Sequence, residues 1–395
     1  MRIQVIDIAK FFGLIILISF SYACSNDLEE QEVNTDSDGE SPVYTNPEDL
    51  LNVTERGYLH DLLTVDAAMP EYWHTFDAFR NYPIYIRTAD NRGILINPPE
   101  SELVNSREIP YSFEEFEPLK LYRNDSLHQF ASDILDHLQF YATDIYNGNR
   151  IYLHDQKDPP SANSWYLTYK NRNGYFHVAL FFHELFHSWV NQESIYPLFD
   201  NGESVYDIGR FPLNEDTLPL LVLLFDVMKD AYHVEPEKQL DYLKYYVSIM
   251  NTLNEIDPTP DNLIRHQAFY VEKREGTPRY IEVFSTLHTL NNNTIEDPTH
   301  GYADYVETLT NWIEVRNVYG HRMYYHTGAG VIFLLKELGY ENIEDQFFIP
   351  TETPFDVAFD FVAMSQSELE NKLNEVKTLY GWNDYVNRAN YLLNL

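Results

Sequence analysis

The stretch that decides this fold runs from Phe181 to Trp189 and reads Phe-Phe-His-Glu-Leu-Phe-His-Ser-Trp. It contains a His-Glu-x-x-His pattern inside an apolar run that neither proline nor glycine interrupts. Residues four apart lie on one face of an α-helix, so His183 and His187 can bind the same metal ion. Glu184 lies beside that face, where its carboxylate can polarise a metal-bound water. The stretch therefore predicts a helix that carries the core of a zinc hydrolase site.

The alternative is a chance pattern, because the chain has 14 histidines and 62 acidic residues. Two histidines and a glutamate in a buried helix are costly without a partner, and a metal ion is such a partner. Apolar residues surround much of the predicted helix, as expected of a buried one. They are Phe176, Val178, Ala179, Leu180, Phe182, Leu185, Phe186 and Val190. This burial favours a metal site over an ordinary pair of core histidines.

The composition is that of a large globular protein. Hydrophobic residues make up 44% of the 395 residues, which is enough for one large domain or two. The formal net charge of -35 argues against a nucleic-acid partner, because phosphates are bound by clustered lysine and arginine. A charge of this sign and size is typical of a solvated, soluble surface.

The first 23 residues read as a signal peptide. Arg2 and Lys10 give it a positive start, and the apolar stretch 11–20 is too short to span a membrane comfortably. Cys24 comes directly afterwards and is the only cysteine of the chain. A single cysteine at this place resembles the acylated cysteine of bacterial lipoproteins, which implies a lipid anchor.

Residue 21 is serine where the lipoprotein signal usually has leucine, so ordinary secretion with cleavage after Ala23 is the alternative. We favour the lipid anchor because the sequence offers Cys24 no other role. The protein is therefore predicted at the bacterial cell envelope, at the outer membrane or cell surface, with the membrane as a partner through Cys24. Residues 24–46 are polar and acidic and are predicted to be a disordered tether.

The remaining residues, 47–395, are predicted to form one domain. Its first helix is predicted to open at Pro47, with Asn46 as the N-cap. Further patterns predict a β-hairpin over 83–98, a mostly helical stretch over 113–146, strands over 150–154 and 165–169, and helices over 217–232, 236–253, 261–274, 300–312, 328–338 and 365–379. This order predicts an α+β, mainly helical fold, with a small sheet, then the helix of the metal site, then a helical lobe.

A catalytic zinc site needs a third protein ligand, with one position left open for water. The short spacing of the metzincins fails here, because position 193 is glutamate and no histidine follows His187 before His233. A carboxylate is therefore expected as the third ligand. The candidates are Glu275, Glu272 and Glu215, each of which could also be a solvated residue on a helix surface.

The segment Glu275-Gly276-Thr277, with a tyrosine shortly after it, resembles the second signature of the gluzincin clan of zinc peptidases. Together with His-Glu-x-x-His, the resemblance covers roughly residues 165–339. It implies a zincin-like fold, with zinc held by His183, His187 and Glu275. It also implies Glu184 as the general base and a peptide or protein as the substrate.

Two positions depart from the gluzincin pattern. Pro278 stands where a helix former is expected, so Glu275 is predicted to lie at or just before the start of a helix. Arg279 stands where thermolysin-like relatives have an acid that orients a histidine. The residues that could take this acid's place are Glu282, Glu215 and Asp216.

Amide hydrolysis builds negative charge on the former carbonyl oxygen, and one or two hydrogen-bond donors must stabilise it beside the metal. Tyr325-His326-Thr327-Gly328 resembles the Tyr-x-x-Gly segment that follows the glutamate helix in gluzincin-like bacterial proteins. The resemblance implies that Tyr325 and His326 are the donors. The alternative is ordinary packing, because the chain has 31 tyrosines and most tyrosines pack with the hydroxyl in water.

These observations predict a lipid-anchored zinc metallopeptidase. Only the zinc chemistry follows from the residues, whereas the peptide substrate follows from the resemblance. The alternative from a different class is a surface glycan- or nutrient-binding lipoprotein, whose aromatic residues would stack on sugars. That alternative leaves the pattern of His183, Glu184 and His187 unexplained, and a metal assay distinguishes the two.

Overall fold

The computed structural model describes residues 50–88, 92–100, 103, 105–110, 113, 115–124, 131, 134–135, 141–146, 149–156, 170, 174–192, 207–292, 306, 308–347, 349 and 351–395. The predicted signal peptide, Cys24, the tether and the strand over 165–169 lie outside these residues. The described part is an α+β structure that is mainly helical and contains one small sheet. The predicted fold class is confirmed at this level.

The sheet has six strands in the order β3-β4-β2-β1-β6-β5. They are β1 (Ile84–Arg87), β2 (Gly93–Ile96), β3 (Arg107–Glu108), β4 (Leu121–Arg123), β5 (Tyr141–Tyr146) and β6 (Asn149–Asp155). β1 and β6 run parallel, and the other neighbouring pairs are antiparallel, so the sheet is mixed. β5 is therefore an edge strand of the described sheet.

Helices α1 to α12 follow one another along the described part of the chain. They are α1 (Val53–Tyr72), α2 (Ala78–Asn81), α3 (Phe176–Gln192), α4 (Leu218–Ala231), α5 (Pro236–Glu255), α6 (264–290), α7 (Trp312–Asn317), α8 (Met323–Glu337), α9 (Ile343–Phe347), α10 (Pro354–Val362), α11 (Gln366–Tyr380) and α12 (Trp382–Leu393). A π-helical turn, Val318–Arg322, joins α7 to α8. The helix of the His-Glu-x-x-His pattern is α3, as predicted.

The hairpin formed by β1 and β2 is confirmed, and it is buried on both faces. Side chains alternate between the faces of a strand. Ile84 and Ile94 belong to the main core, whereas Tyr85 and Leu95 belong to a smaller core on the other face. This double burial explains why both strands read as continuous apolar runs.

Of the described residues within the predicted helical stretch 113–146, only 131, 134 and 135 are helical, so the prediction is wrong for the rest of them. β4 pairs with β2, and β5 pairs with β6 from Tyr141 opposite His154 to Tyr146 opposite Asn149. Aromatic and β-branched residues in these short stretches suit a pleated surface, and pairing with strands elsewhere in the chain selects the extended form. Such pairing overrides the local helical preference that the sequence pattern suggested.

The predicted helix start at Pro47, with Asn46 as its N-cap, lies outside the described residues. α1 begins at Val53, where Asn52 is the N-cap and forms a capping box with Glu55. In the described part of the predicted helix over 300–312, residue 306 is helical but residues 308–311 are not, so the helix does not extend to residue 312 as predicted. α7 instead begins at Trp312, and its N-cap Asn311 accepts a hydrogen bond from the Glu314 amide.

α6 continues through Pro278, contrary to the predicted helix start near Glu275. Stretches of α-helix alternate in it with π-helical turns at Ile264–Ala268, Glu272–Gly276 and Ile281–Leu287. A proline cannot donate the usual hydrogen bond and its ring crowds the preceding turn. The wider π turn directly before Pro278 accommodates both effects, so the helix does not have to end.

Aromatic side chains fix α3 against the N-terminal helices. The ring of Phe186 makes edge contacts with Trp73 and Phe76, at 5.7 and 5.1 Å between centroids. Phe181 contacts Phe79 in the same way at 5.9 Å. On its other sides α3 packs against β5, β6 and α6, which places the His-Glu-x-x-His face between the sheet and the helical lobe.

Candidate metal centre

α3 brings its two histidines together on one buried face. The centroids of the His183 and His187 rings lie 5.0 Å apart. His183, Glu184 and His187 are each less than a tenth exposed. The two histidines that lie four residues apart in the pattern therefore form a pair of adjacent imidazoles inside the protein.

Glu275 completes this pair from α6, 88 residues later in the chain. Its Oε2 lies 3.1 Å from His187 Nε2 and 3.9 Å from His183 Nε2. The candidate ligand atoms of the three residues all lie within 4.8 Å of one another. In the part of the chain that the structure describes, this is the one such group that could hold a metal ion. We call His183, His187 and Glu275 the His-His-Glu cluster.

Two glycines position the turn that carries Glu275. A Cβ on Gly276 would lie 2.6 Å from Gly328 Cα, and a Cβ on Gly328 would lie 2.5 Å from the Glu272 carbonyl oxygen. These distances are too short for any side chain, so α6 and α8 meet backbone to backbone. The Glu-Gly and Tyr-x-x-Gly segments of the sequence are thus in direct contact.

The two other candidate ligands lie elsewhere. The Glu272 carboxyl is buried between α5 and α8, where Thr327 Oγ1 donates to it at 2.6 Å and Tyr246 donates a second hydrogen bond. Burial raises the pKa of Glu272 to about 8 despite these donors, so this carboxyl stays largely protonated at neutral pH. Glu215 is exposed to solvent just before α4.

Glu282 is the acid that lies behind His183. The sequence had left three candidates for this position. Its Oε2 lies 3.0 Å from His183 Nδ1, which leaves His183 Nε2 facing His187 and Glu275. Arg279 forms an ion pair with the same carboxylate. Arg279 therefore neutralises the acid that contacts His183.

The charged groups of the cluster shift one another's pKa values. Burial alone lowers the pKa of His183, but hydrogen bonds with Glu275 and Glu282 outweigh it and raise the pKa to about 10. Burial raises the pKa of Glu275, but the charge of His187 and hydrogen bonds with both histidines bring it well below its ordinary value. A metal ion held by the cluster would have to replace a proton on His183, because histidine binds metal as the neutral ring.

Glu184 lies beside the cluster and is not part of it. Burial raises the pKa of its carboxyl, and the nearby His183 and His187 offset only part of this effect. The Tyr141 hydroxyl on β5 lies next to the carboxylate and interacts with it. Glu184 Oε2 is buried and has no hydrogen-bond partner among the described residues. One carboxylate oxygen is thus available to accept a proton.

The two predicted hydrogen-bond donors on α8 lie in different surroundings. The Tyr325 ring stacks on the His183 ring, with 6.3 Å between centroids and 13° between planes. His326 instead packs in the core, against the rings of Phe225 and Tyr232 at 5.2 and 5.4 Å. Successive residues point about 100° apart on a helix, so one of the two faces the cluster and the other faces α4.

Three features of the site were not found from the sequence. Tyr141 contacts Glu184, and Thr143 Oγ1 donates to Ser188 Oγ at 2.8 Å, so β5 is tied to α3. His321 lies against Tyr325 at 5.4 Å between centroids, and burial lowers its pKa to about 4. No local pattern distinguishes these residues, because each acquires its role through a neighbour that is distant in the chain.

The chemistry of the donor set fits zinc. Two imidazole nitrogens and one carboxylate oxygen are common protein ligands of a zinc ion that keeps one open position. The contact of Glu282 with His183 is the carboxylate–histidine arrangement found behind metal-bound histidines. Comparisons with protein-family models, curated proteins and solved structures found no match to this chain. The case for a function therefore depends on the site itself.

Proposed function

We propose that this chain is a zinc metallopeptidase of the gluzincin type, with a zincin-like fold. The observation that carries the proposal is the convergence of His183, His187 and Glu275 within 4.8 Å. A chance His-Glu-x-x-His pattern does not explain why a distant glutamate meets both histidines in a buried place. Zinc would be held by these three residues.

Each residue around the cluster has a role in this proposal. Bound zinc would act as a Lewis acid that polarises water and the scissile carbonyl. Glu184 accepts the proton of the attacking water at Oε2 and later donates it to the leaving amine. Tyr325 donates a hydrogen bond to the oxygen that becomes negative. Glu282 holds His183 in the orientation that presents Nε2.

The sheet supports a peptide as the substrate. β5 is an edge strand, and its residue Tyr141 contacts Glu184. An extended peptide can add to an exposed strand edge through main-chain hydrogen bonds, which would carry a peptide bond past the cluster. The described site gives no comparable support to the glycan-binding alternative.

Zinc content tests the proposal directly. We expect purified protein without residues 1–24 to bind about one zinc per chain, the count of a single three-ligand site. The zinc-bound form should also unfold at a higher temperature than chelator-treated protein, because a ligand that binds the folded state stabilises it. Elemental analysis and thermal unfolding are the measurements. Protein that binds no zinc when offered the metal would refute the proposal, and glycan binding in its place would support the alternative.

We further propose that Cys24 anchors the protein to the bacterial cell envelope after the signal peptide 1–23 is removed. Cys24 is the only cysteine in the chain, and three residues separate it from the apolar stretch 11–20. Among the described helices, none is both long and apolar enough to span a bilayer. Acylation at Cys24 would be the membrane contact of the mature protein.

Replacing Cys24 tests the anchor. We expect Cys24→Ser to abolish lipid attachment and to move the protein from the membrane fraction to the soluble fraction, because serine cannot form the thioether with lipid. Metabolic labelling with a fatty acid and fractionation of cells measure the two effects. A Cys24→Ser protein that stays in the membrane fraction would instead point to residues 11–20 as an uncleaved anchor.

A further inference from the structure

The position of Glu184 raises a question that the three cluster residues do not answer. The Glu184 carboxylate is next to His183 in the sequence and equally buried, yet it is not one of the groups that meet in the cluster. A fourth protein ligand would occupy the position that hydrolysis needs for water. A contact that holds the Glu184 carboxylate beside the cluster would keep this position open. The described residue that contacts it from the sheet is Tyr141.

The spacing of contacts shows that β5 runs alongside α3. Tyr141 and Thr143 point to the same face of the strand, about 6.6 Å apart along it. Glu184 and Ser188 lie on one side of α3, about 6 Å apart along the helix. Tyr141 contacts Glu184, and Thr143 Oγ1 donates to Ser188 Oγ at 2.8 Å. Because the spacing along the strand is close to the spacing along the helix, both pairs can form at once.

Pairing with β6 fixes the backbone of Tyr141. It lies directly opposite His154, which is fully buried and whose Nδ1 lies 3.2 Å from the Tyr152 hydroxyl. The negative charge of Glu184, burial and the charge of Glu275 raise the pKa of Tyr141 well above its ordinary value. Its hydroxyl therefore keeps its proton and remains a hydrogen-bond donor over the whole physiological pH range.

We propose that Tyr141 is the positioning residue of the general base: its hydroxyl donates to the Glu184 carboxylate and keeps that group out of the His-His-Glu cluster. The second oxygen, Oε2, stays available for the proton. This inference rests on the proposed zinc peptidase function. It gives the edge strand β5 a role in that function through the Tyr141 side chain. This role is separate from the binding of a peptide to the main-chain groups of β5.

Tyr141→Phe tests the inference because it removes only the hydroxyl. With labelled casein as the substrate, we expect kcat to fall about 10- to 100-fold, the range for a misplaced catalytic group, while KM and zinc content stay unchanged. Tyr245→Phe is the matched control, because the Tyr245 hydroxyl on α5 also donates to a glutamate carboxylate, Glu375 Oε1 on α11, at 2.6 Å. Its loss should lower the unfolding temperature and leave kcat within about twofold.

Cobalt substitution reports whether Glu184 binds the metal, and it needs no substrate. With Co²⁺ in place of zinc, Tyr141→Phe should change the visible absorption bands, because the released carboxylate enters the metal's coordination sphere. Adding Glu184→Gln to Tyr141→Phe should reverse the change, and Tyr245→Phe should show none.

The outcomes separate this inference from the function on which it rests. A Tyr141→Phe protein with the kcat and the cobalt spectrum of the wild type would overturn the role of Tyr141 and leave the zinc site intact. If the wild type binds cobalt but does not cleave casein, the cobalt spectra alone test the role of Tyr141. Wild-type protein that binds neither zinc nor cobalt would overturn the function and the inference together.

Discussion

Glu184→Gln is expected to reduce peptide hydrolysis by about 100- to 10,000-fold, the range for loss of a general base. Glutamine has nearly the same shape but cannot accept the proton that Oε2 would take up in the proposed mechanism. Because Glu184 lies beside the His-His-Glu cluster and not in it, the variant should still bind about one zinc. The measurements are kcat/KM on labelled casein and zinc content by elemental analysis.

The controls for Glu184→Gln separate a base from a ligand. Glu215→Gln makes the same chemical change at an exposed site and should alter neither activity nor zinc content. If Glu184→Gln lost its zinc, Glu184 would be a metal ligand and the assignment of roles would be wrong. If it kept wild-type activity, another group would have to be the base.

Glu275→Ala is expected to weaken zinc binding by more than the roughly 10- to 100-fold that is typical when a group behind a ligand is lost. The change removes one of three proposed ligands and leaves His183 and His187 as the only protein donors of the cluster. It also removes the carboxylate that lies 3.1 Å from His187 Nε2. A competition assay with a zinc-binding dye measures the affinity.

The two other candidate ligands are the controls for Glu275. Glu272→Gln keeps the shape of a buried side chain that contacts Tyr246 and Thr327, and Glu215→Ala changes an exposed one. Both should bind zinc as the wild type does. Wild-type affinity in Glu275→Ala, together with a loss in either control, would move the third ligand to that residue.

The choice between Glu272 and Glu275 shows where sequence reasoning ended. The two residues are of the same type and lie three positions apart on α6. Tertiary packing decides between them, because it directs Glu272 towards Tyr246 and Thr327 and Glu275 towards His187. The resemblance to a known signature favoured Glu275, but the residues alone left the question open.

The sequence by itself determined the features that depend on neighbours along the chain. The helix spacing of His183, Glu184 and His187, the apolar hairpin of β1 and β2 and the mainly helical remainder all follow from local periodicity. Such patterns persist in the fold because a helix or a hairpin forms its hydrogen bonds within one segment.

Only the tertiary structure decided the features that depend on distant partners. β5 is a strand because β6 pairs with it, and Tyr141 reaches Glu184 because that strand runs along α3. Glu275 reaches the histidines because Gly276 and Gly328 let two helices touch. The physical reason is the same in each case: packing between segments far apart in the chain sets the direction of a side chain, and local sequence does not encode it.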